Sequence, residues 1–411
     1  MIPGSKGCVA KCTFCHRWEK GIRYIPPELV VSRLERLIQC YNIKFISVSD
    51  ENFGTDRKWL AEFCERIKPL DILWRVSGMR VNCITLEQLT MMKDAGCVSV
   101  MFGMETGSPR MLEVMEKKTT QADNENAMKW TIGHGLHTIV QLVLGMPGET
   151  PGTVRETISF CKMANCLSPD QSPNDLSANY AQALPGTPLY EFARHRGLIK
   201  PGLDGEEEYL LAISDRDAHD EVTTINFTDY PKLTCEVWRP LITIEVNYAY
   251  VQKYGIAHYL ERTLANREFF TSPREDEGYY ANPKRLVDAS SATDTVRDTH
   301  TAIELNDRSK PPSLRRLLLT RKLGLALICY PRLAYHIRHF LIFLVIYKNL
   351  QRNGGAYTMG LIREYLAYQL SRPFHRKDNQ YGYKSLRRSV RDDLGTIPTD
   401  DPAMAPLRAG R

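Results

Sequence analysis

Three cysteines lie close together near the start of the chain, at Cys8, Cys12 and Cys15. A cubane iron–sulfur cluster normally takes four cysteine thiolates, so a loop that supplies three leaves one iron with an open coordination position. The gaps between these cysteines are three and then two residues, and the next cysteine, Cys40, lies far downstream. The spacing therefore predicts a cluster whose open iron binds something other than protein.

Two alternatives exist for the same loop. A structural zinc site completed by His16 is one, because zinc accepts three cysteines and one histidine in a tetrahedron, although zinc ligands usually come as two separated pairs. A disulfide framework is the weaker alternative, since 11 cysteines scattered through 411 residues do not resemble a small secreted scaffold.

The Cys-x3-Cys-x2-Cys spacing, with Phe14 just before the third cysteine, resembles the signature of the radical S-adenosylmethionine (SAM) superfamily. The resemblance implies a [4Fe–4S] cluster on the three cysteines, with SAM chelating the open iron through its amino and carboxylate groups. One electron from the reduced cluster then cleaves SAM to methionine and a 5′-deoxyadenosyl radical. It also places Phe14 among the residues that bind the cofactors.

Residues 1–200 alternate short strand-like runs with helix-like runs, which favours parallel strands joined by crossover helices. We predict an α/β fold, a partial (β/α)6 TIM-like barrel, followed by a mainly helical C-terminal region. Functional residues are expected at the carboxyl ends of the strands. The predicted strands are a first one within or before residues 1–6 and then Lys44–Ser49, Ile72–Ser77, Cys97–Gly103, Thr138–Leu144 and Leu176–Leu184.

The second strand is followed by the acidic segment Asp50-Glu51-Asn52-Phe53. A carboxylate there can accept hydrogen bonds from an ammonium group, and the segment resembles the position that holds the SAM amino group, which implies this role for Glu51. The alternative is a helix N-terminus with Asp50 or Asn52 as its cap.

Further segments resemble the radical SAM subgroup of methylthiotransferases and cobalamin-dependent enzymes. Phe102–Ser108 resembles its Gly-x-Glu-Ser-Gly segment, which implies that Glu105 holds the SAM ribose beside Gly103; by itself the segment is a turn. Gly145–Thr150 resembles its Gly-x-Pro-Gly-Glu-Thr turn, which implies adenine near Met146. The same comparison implies that Gln141 faces this site and that Arg80 lies near the SAM carboxylate, although a surface arginine is the alternative.

The rest of the chain divides by composition. After the predicted barrel at 1–200 we expect a helical extension at 201–270, a polar linker or loop at 271–312, a basic helical region at 313–394 and a disordered tail at 395–411. Residues 1–300 contain 34 basic and 40 acidic side chains, whereas residues 301–411 contain 20 and 8. The basic part predicts either a solvated surface or contact with an anionic partner.

Partners and location follow from the same features. The start of the chain has no apolar signal-peptide segment, so we expect a cytoplasmic protein. Residues 313–350 are too interrupted by charge to span a bilayer. We expect a helix that packs on the domain or on a partner or, as the alternative, makes peripheral contact with the inner face of the membrane. We expect a small-molecule or lipid-like substrate, a reductant such as flavodoxin or ferredoxin, and no specific nucleic acid.

The function predicted from the resemblance is reductive cleavage of SAM and hydrogen abstraction from a substrate, with cobalamin-dependent methyl transfer if another domain supplies cobalamin. Only seven residues precede Cys8, so the cobalamin-binding domain common in such enzymes is expected to be missing from this chain. The alternatives are a radical cyclase or rearrangement enzyme without methyl transfer, and an inactive iron–sulfur or zinc-binding partner subunit.

Overall fold

The computed structural model describes residues 1–16, 21–214, 224–265, 313–319 and 323–371. The predicted linker at 271–312 and the predicted tail at 395–411 lie outside these residues. The other predicted domain boundaries stay predictions.

The core of the first half is a sheet of five parallel strands in sequence order, each paired with the next. This arrangement confirms the α/β fold and five of the six predicted strands. A two-stranded antiparallel ribbon, β1 with β2, precedes the sheet. The strands are β1 (Ser5–Lys6), β2 (Arg23–Tyr24), β3 (Phe45–Phe53), β4 (Leu73–Arg80), β5 (Cys97–Glu105), β6 (Val140–Leu144) and β7 (Leu176–Tyr180).

The predicted first strand is reduced to one residue in the sheet. Ile2 forms an isolated parallel bridge with Val48 on β3, and its backbone N–H lies 2.9 Å from the Ser47 carbonyl oxygen. The next residue, Pro3, has no N–H to donate and cannot continue the hydrogen-bonded ladder. The chain then leaves the sheet, and Ser5–Lys6 pairs with β2 instead.

Helices connect the strands, and several begin directly after a threonine that caps them. The side chains of Thr85, Thr150 and Thr187 each accept a hydrogen bond from a backbone N–H in the first turn of their helix. Such caps satisfy donors that have no partner within the helix. The helices are α1 (Pro27–Tyr41), α2 (Arg57–Ile67), α3 (Leu86–Asp94), α4 (Pro109–Val114), α5 (Gln121–Gly133), α6 (Pro151–Asn165) and α7 (Pro188–His195).

The two faces of the sheet differ in burial. Val76, Val100 and Val140 are fully buried in the main hydrophobic core. Successive side chains in a strand point to opposite faces, and Gly103 and Gln141, on the other face, are only half-buried. One face is therefore sealed by packing, and the other remains accessible to a ligand.

The remaining described elements are helical, which confirms the predicted mainly helical C-terminal region. α9 is central, because Trp238 and Ile242 belong to the main core while Glu236 accepts a hydrogen bond from Asn349 at 2.7 Å. A non-helical Gly354 kinks the last helix. These helices are α8 (Leu203–Ser214), α9 (Lys232–Tyr254), α10 (Ile256–Ala265), α11 (Leu314–Leu319), α12 (Leu323–Cys329), α13 (Pro331–Ile337) and α14 (Leu341–Ser371).

None of the helices in the described part of the chain combines the length and the apolar character needed to cross a membrane.

Candidate functional site

The chain leading into the cysteine loop is held by a buried carboxylate at the end of β3. Asp50 accepts hydrogen bonds from the Gly4 N–H at 2.8 Å and from the Ser5 hydroxyl at 2.6 Å. Burial raises the pKa of Asp50, and these hydrogen bonds to its ionised form oppose the shift. The alternative prediction, that Asp50 or Asn52 caps a helix, is wrong, because both lie on β3 and Asp56 caps α2.

The loop is also held at its middle and its end. Thr13 is fully buried; its N–H donates to the Met115 carbonyl at 2.9 Å and its hydroxyl to the Val114 carbonyl at 3.1 Å. Its own carbonyl accepts the Leu189 N–H at 3.0 Å. His16 Nδ1 lies 2.9 Å from the Pro185 carbonyl oxygen, which makes that ring nitrogen the donor. The loop therefore bridges the segments after β5 and β7.

The three predicted cluster ligands are free cysteines with different exposure. Cys12 is buried, Cys8 is half-buried and Cys15 is exposed. The Cys8 sulfur accepts the Ala10 N–H at 3.4 Å. In the described part of the chain, no three His, Cys, Asp or Glu side chains stand together at the spacing of a metal site. The donor set nevertheless suits an iron–sulfur cluster, because all three residues can supply thiolates from one loop.

Cys15 shows that the predicted ligands share one electrostatic environment. Although the residue as a whole is exposed, partial burial of its thiol raises its pKa to about 11, and the nearby Cys12, Glu105 and Cys8 add to this shift. Lys117 acts in the opposite direction. Glu105 and Lys117 are therefore close enough to the cysteine loop to influence it.

Arg80 connects the end of β4 with the cysteine loop. Its guanidinium Nη1 lies 3.6 Å from the Cys12 sulfur, and Nη2 donates to the Lys117 carbonyl. The neighbouring Asn82 donates to the Lys118 carbonyl at 3.1 Å. Arg80 is thus a positioned donor to a cysteine sulfur and not a solvated surface side chain.

Glu105 at the end of β5 forms a buried ion pair with Lys117. Lys117 Nζ lies 2.6 Å from Glu105 Oε1, and the two side chains are 8% and 11% exposed. A Cβ on Gly103 would lie 2.5 Å from that same oxygen, so a larger residue at Gly103 would collide with the pair. Glu105 has a φ of 66°, a left-handed conformation that is costly for a residue with a side chain.

The register of the sheet aligns three predicted site residues. Arg80 on β4 pairs with Gly103 on β5, and Gly103 pairs with Gln141 on β6. At one end of this row, Phe14 packs on a hydrophobic cluster that contains Met146. The structure therefore groups the cysteine loop with Arg80, Gly103, Glu105, Gln141 and Met146.

Glu51 is the predicted residue that lies apart from this group. It is on β3 beside Asp50 with an exposed side chain, and no contact in the described part of the chain joins it to the cysteine loop. The adjacent Asn52 is fully buried, and neither atom of its amide has a hydrogen-bond partner among the described residues. The role of Glu51 stays a prediction.

The turn after β6 is organised by Glu149. Its Oε2 accepts the Gly145 N–H at 2.5 Å, which closes the turn that contains Met146. Burial raises the pKa of Glu149 from 4.5 to about 8, and the hydrogen bonds from the backbone of Gly145 and Met146 oppose the shift. The glycine-rich turn is therefore held in shape by a carboxylate of its own sequence.

Sequence reasoning missed three residues that build the site: Lys117, Thr13 and Asp50 in its anchoring role. Asp50 had a signal, because a carboxylate directly after a buried run often meets a partner from another segment. Lys117 had none, since it is one of five charged or polar residues between α4 and α5. Its backbone neighbours Glu116 and Lys118 both adopt left-handed conformations, with φ of 48° and 56°.

Comparisons with known proteins match the part of the chain that contains these residues. The model of the radical SAM superfamily matches residues 2–161. An uncharacterized methyltransferase of Pyrococcus horikoshii is 34% identical over 204 residues, which cover 48% of this chain and 43% of the relative. The anaerobic magnesium-protoporphyrin IX monomethyl ester cyclase of Rubrivivax gelatinosus is 30% identical over 186 residues, covering 44% of this chain and 32% of the relative.

A similar solved structure is TsrM from Kitasatospora setae, a radical SAM methyltransferase with cobalamin and a [4Fe–4S] cluster bound. It has a TM-score of 0.42 and 21% identity, and the match covers 49% of this chain and 38% of TsrM. The chain spans less than half the length of these relatives. The family match includes the cysteine loop and the strands that carry Arg80, Glu105 and Gln141, and residues 2–161 therefore form a radical SAM domain.

Proposed function

We propose that this chain acts in an enzyme that cleaves SAM reductively and abstracts a hydrogen atom from a substrate C–H bond. The observation that carries the proposal is the buried group formed by Arg80, Lys117 and Glu105 beside the cysteine loop. The group lies at the carboxyl ends of parallel strands, where catalytic residues collect in barrel enzymes.

The donor set assigns the cofactors to particular residues. Cys8, Cys12 and Cys15 hold a [4Fe–4S] cluster and leave one iron for SAM. Glu105 holds the ribose hydroxyls, while Gln141 and the backbone at Met146 face the adenine. Arg80, which the sequence assigned to the SAM carboxylate, donates to the Cys12 sulfur at 3.6 Å and holds the loop in place. Glu51 is assigned to the SAM amino group.

The cofactors supply the difficult chemistry, and the protein positions them and excludes water. Bound at this site, the cluster and SAM would supply the reductive cleavage of SAM and the hydrogen abstraction from the substrate, with the electron coming from a flavodoxin- or ferredoxin-like reductant. Gly103 and Gln141, next to each other in the sheet, are only half-buried, so packing does not seal this face completely.

Methyl transfer is the form of this chemistry that we favour, because a relative at 34% identity is named as a methyltransferase. It requires cobalamin from another domain or polypeptide. Radical cyclisation without methyl transfer is the second candidate, favoured by the cyclase relative at 30% identity. The substrate belongs to the small-molecule or lipid-like class.

The test is anaerobic reconstitution of the purified chain with iron and sulfide, followed by reduction and addition of SAM labelled in its methyl group. We expect 5′-deoxyadenosine as a product, and we expect Cys12→Ala to lose both the cluster absorbance and this product. Label transfer to a substrate in the presence of cobalamin distinguishes methyl transfer from cyclisation.

Two other cysteines provide matched controls. Cys40 is exposed on α1, so Cys40→Ala should keep full iron content. Cys83 is a stricter control: burial raises the pKa of its thiol, and the nearby Cys8 adds to the shift. If Cys83→Ala loses the cluster, four thiolates share it and the open iron is refuted. A cluster that forms without any SAM cleavage supports the inactive-subunit alternative.

A further inference from the structure

The first half of α14 is apolar on two opposite sides. Leu341 and Val345 are buried, Leu341 against Ile244 and Ala334 and Val345 against Leu233. The other side is exposed, although it consists of large apolar residues. We name it the outer apolar face. It consists of Phe343, Tyr347 and Leu350 on α14 and of Phe340, the residue directly before α14, and these are 64%, 44%, 52% and 60% exposed.

The spacing of these residues makes them one continuous stripe. Steps of three and four residues return to the same side of a helix, so Phe343, Tyr347 and Leu350 lie above one another. Phe340 extends the stripe at its N-terminal end, with its ring centroid 6.5 Å from that of Phe343. A surface helix normally carries polar residues on its outer side, and a helix that is apolar all round needs a second apolar environment.

The charge around the outer apolar face is strongly positive. Residues 323–371, all of which the structure describes, contain five Lys and Arg side chains and a single acidic one, Glu364. Arg332, His339 and Arg352 are exposed close to the stripe in sequence. An apolar stripe with two phenylalanines and a tyrosine, set among cations, has the composition of helices that lie in the plane of an anionic membrane.

We propose that the outer apolar face of α14 binds the surface of a bilayer that contains anionic phospholipids. The stripe from Phe340 to Leu350 is roughly 15 Å long, so the helix would lie parallel to the surface with its apolar side chains among the acyl chains. A second copy of the chain is a poorer occupant, because two strongly cationic segments would then face each other.

The experiment is flotation of the full-length chain with vesicles of phosphatidylcholine alone and of phosphatidylcholine with phosphatidylglycerol. We expect binding to the anionic vesicles, weakening as salt is raised. The double variant Phe343→Ser/Leu350→Ser should bind at least about tenfold more weakly, because it removes two inserted apolar side chains. Phe343→Trp should bind like the unmodified chain.

Exposed leucines elsewhere provide the matched control. Leu73 on β4 and Leu203 on α8 are 53% and 85% exposed, so Leu73→Ser/Leu203→Ser removes similar apolar surface without touching α14. This control should bind normally. So should Cys12→Ala, which makes the result independent of the SAM chemistry.

Several results would overturn the proposal. These are no binding to anionic vesicles, equal binding to neutral vesicles at all salt concentrations, or equal weakening in the Leu73/Leu203 control. Light scattering that shows a dimer lost in the Phe343/Leu350 variant, without vesicle binding, would assign the face to a second copy instead.

Discussion

Replacement of Lys117 by methionine is the sharpest test of the site, because it removes one charge from a buried pair and keeps a similar volume. Lys117 Nζ lies 2.6 Å from Glu105 Oε1, and the side chains are only 8% and 11% exposed. In the variant, the Glu105 carboxylate stays in the protein interior without a cation. Breaking a buried pair in this way costs about 3–5 kcal/mol.

A loss of this size is a large part of the stability of a domain, which is typically about 5–15 kcal/mol. At about 2–4 °C per kcal/mol for a domain of this size, the melting temperature of Lys117→Met should fall by roughly 6–20 °C. The assay is thermal unfolding without SAM, followed by circular dichroism. The double variant Lys117→Met/Glu105→Gln should recover most of the loss, because no buried charge remains.

An exposed pair of the same chemistry is the control. Lys129 and Glu125 lie 3.1 Å apart on α5, and their side chains are 48% and 30% exposed. Lys129→Met should therefore change stability by less than about 1 kcal/mol. If Lys117→Met unfolds within a degree of the unmodified chain, or if the double variant is no better than the single one, the Glu105–Lys117 pair does not hold this site together.

The remaining predictions concern Arg80, Glu149 and Thr13. In the reconstituted protein, Arg80→Met removes a hydrogen-bond donor from the Cys12 sulfur, so the reduction potential of the cluster should become more negative. An EPR-monitored redox titration measures this potential. The control is Arg75→Met, because Arg75 lies on the same strand but bonds to Ser47, and it should leave the potential unchanged. Burial raises the pKa of Glu149 from 4.5 to about 8, so the folded chain keeps a proton that the unfolded chain loses. Its contribution to stability therefore decreases as pH rises from about 4.5 to 8, and Glu149→Gln should flatten that part of the profile of unfolding free energy against pH; an unchanged slope would contradict this. Thr13→Val leaves the buried Val114 carbonyl without its donor and should cost about 1–3 kcal/mol in chemical denaturation, whereas no loss would show that the loop is held elsewhere.

Local patterns allowed much of the sheet to be predicted. Runs such as Cys97–Gly103 are apolar because their strands are buried, and the structure extends this one only to Glu105. A threonine directly before a proline indicates a helix start, because capping depends on a few adjacent residues, and Thr150 and Thr187 both cap a helix in the structure. The fold class followed from the order of these elements.

The interactions that complete the site were not predictable in the same way. Lys117 pairs with Glu105 on β5 from a loop beyond α4, and its neighbours Glu116 and Lys118 both have left-handed backbone conformations. Neither residue is a glycine, so composition gives no indication of the turn. The predicted first strand is limited to Ile2 for a local reason, because Pro3 interrupts the hydrogen-bonded ladder at the next residue.

The cysteine loop is fastened to three separate parts of the sheet, and this connects the fold to the proposed chemistry. Asp50 holds its entry from β3, the carbonyls of Val114 and Met115 hold Thr13 from beyond β5, and the Pro185 carbonyl holds His16 from beyond β7. The first and the last of these anchors, Asp50 and Pro185, are 135 residues apart in sequence. The loop therefore takes this shape only when both edges of the sheet are folded. Arg80 then reaches the Cys12 sulfur from the middle of the sheet. A loop held from both edges and the centre is well suited to keep three thiolates around a cluster while one iron stays open, because a ligand at that iron can be positioned without moving the loop.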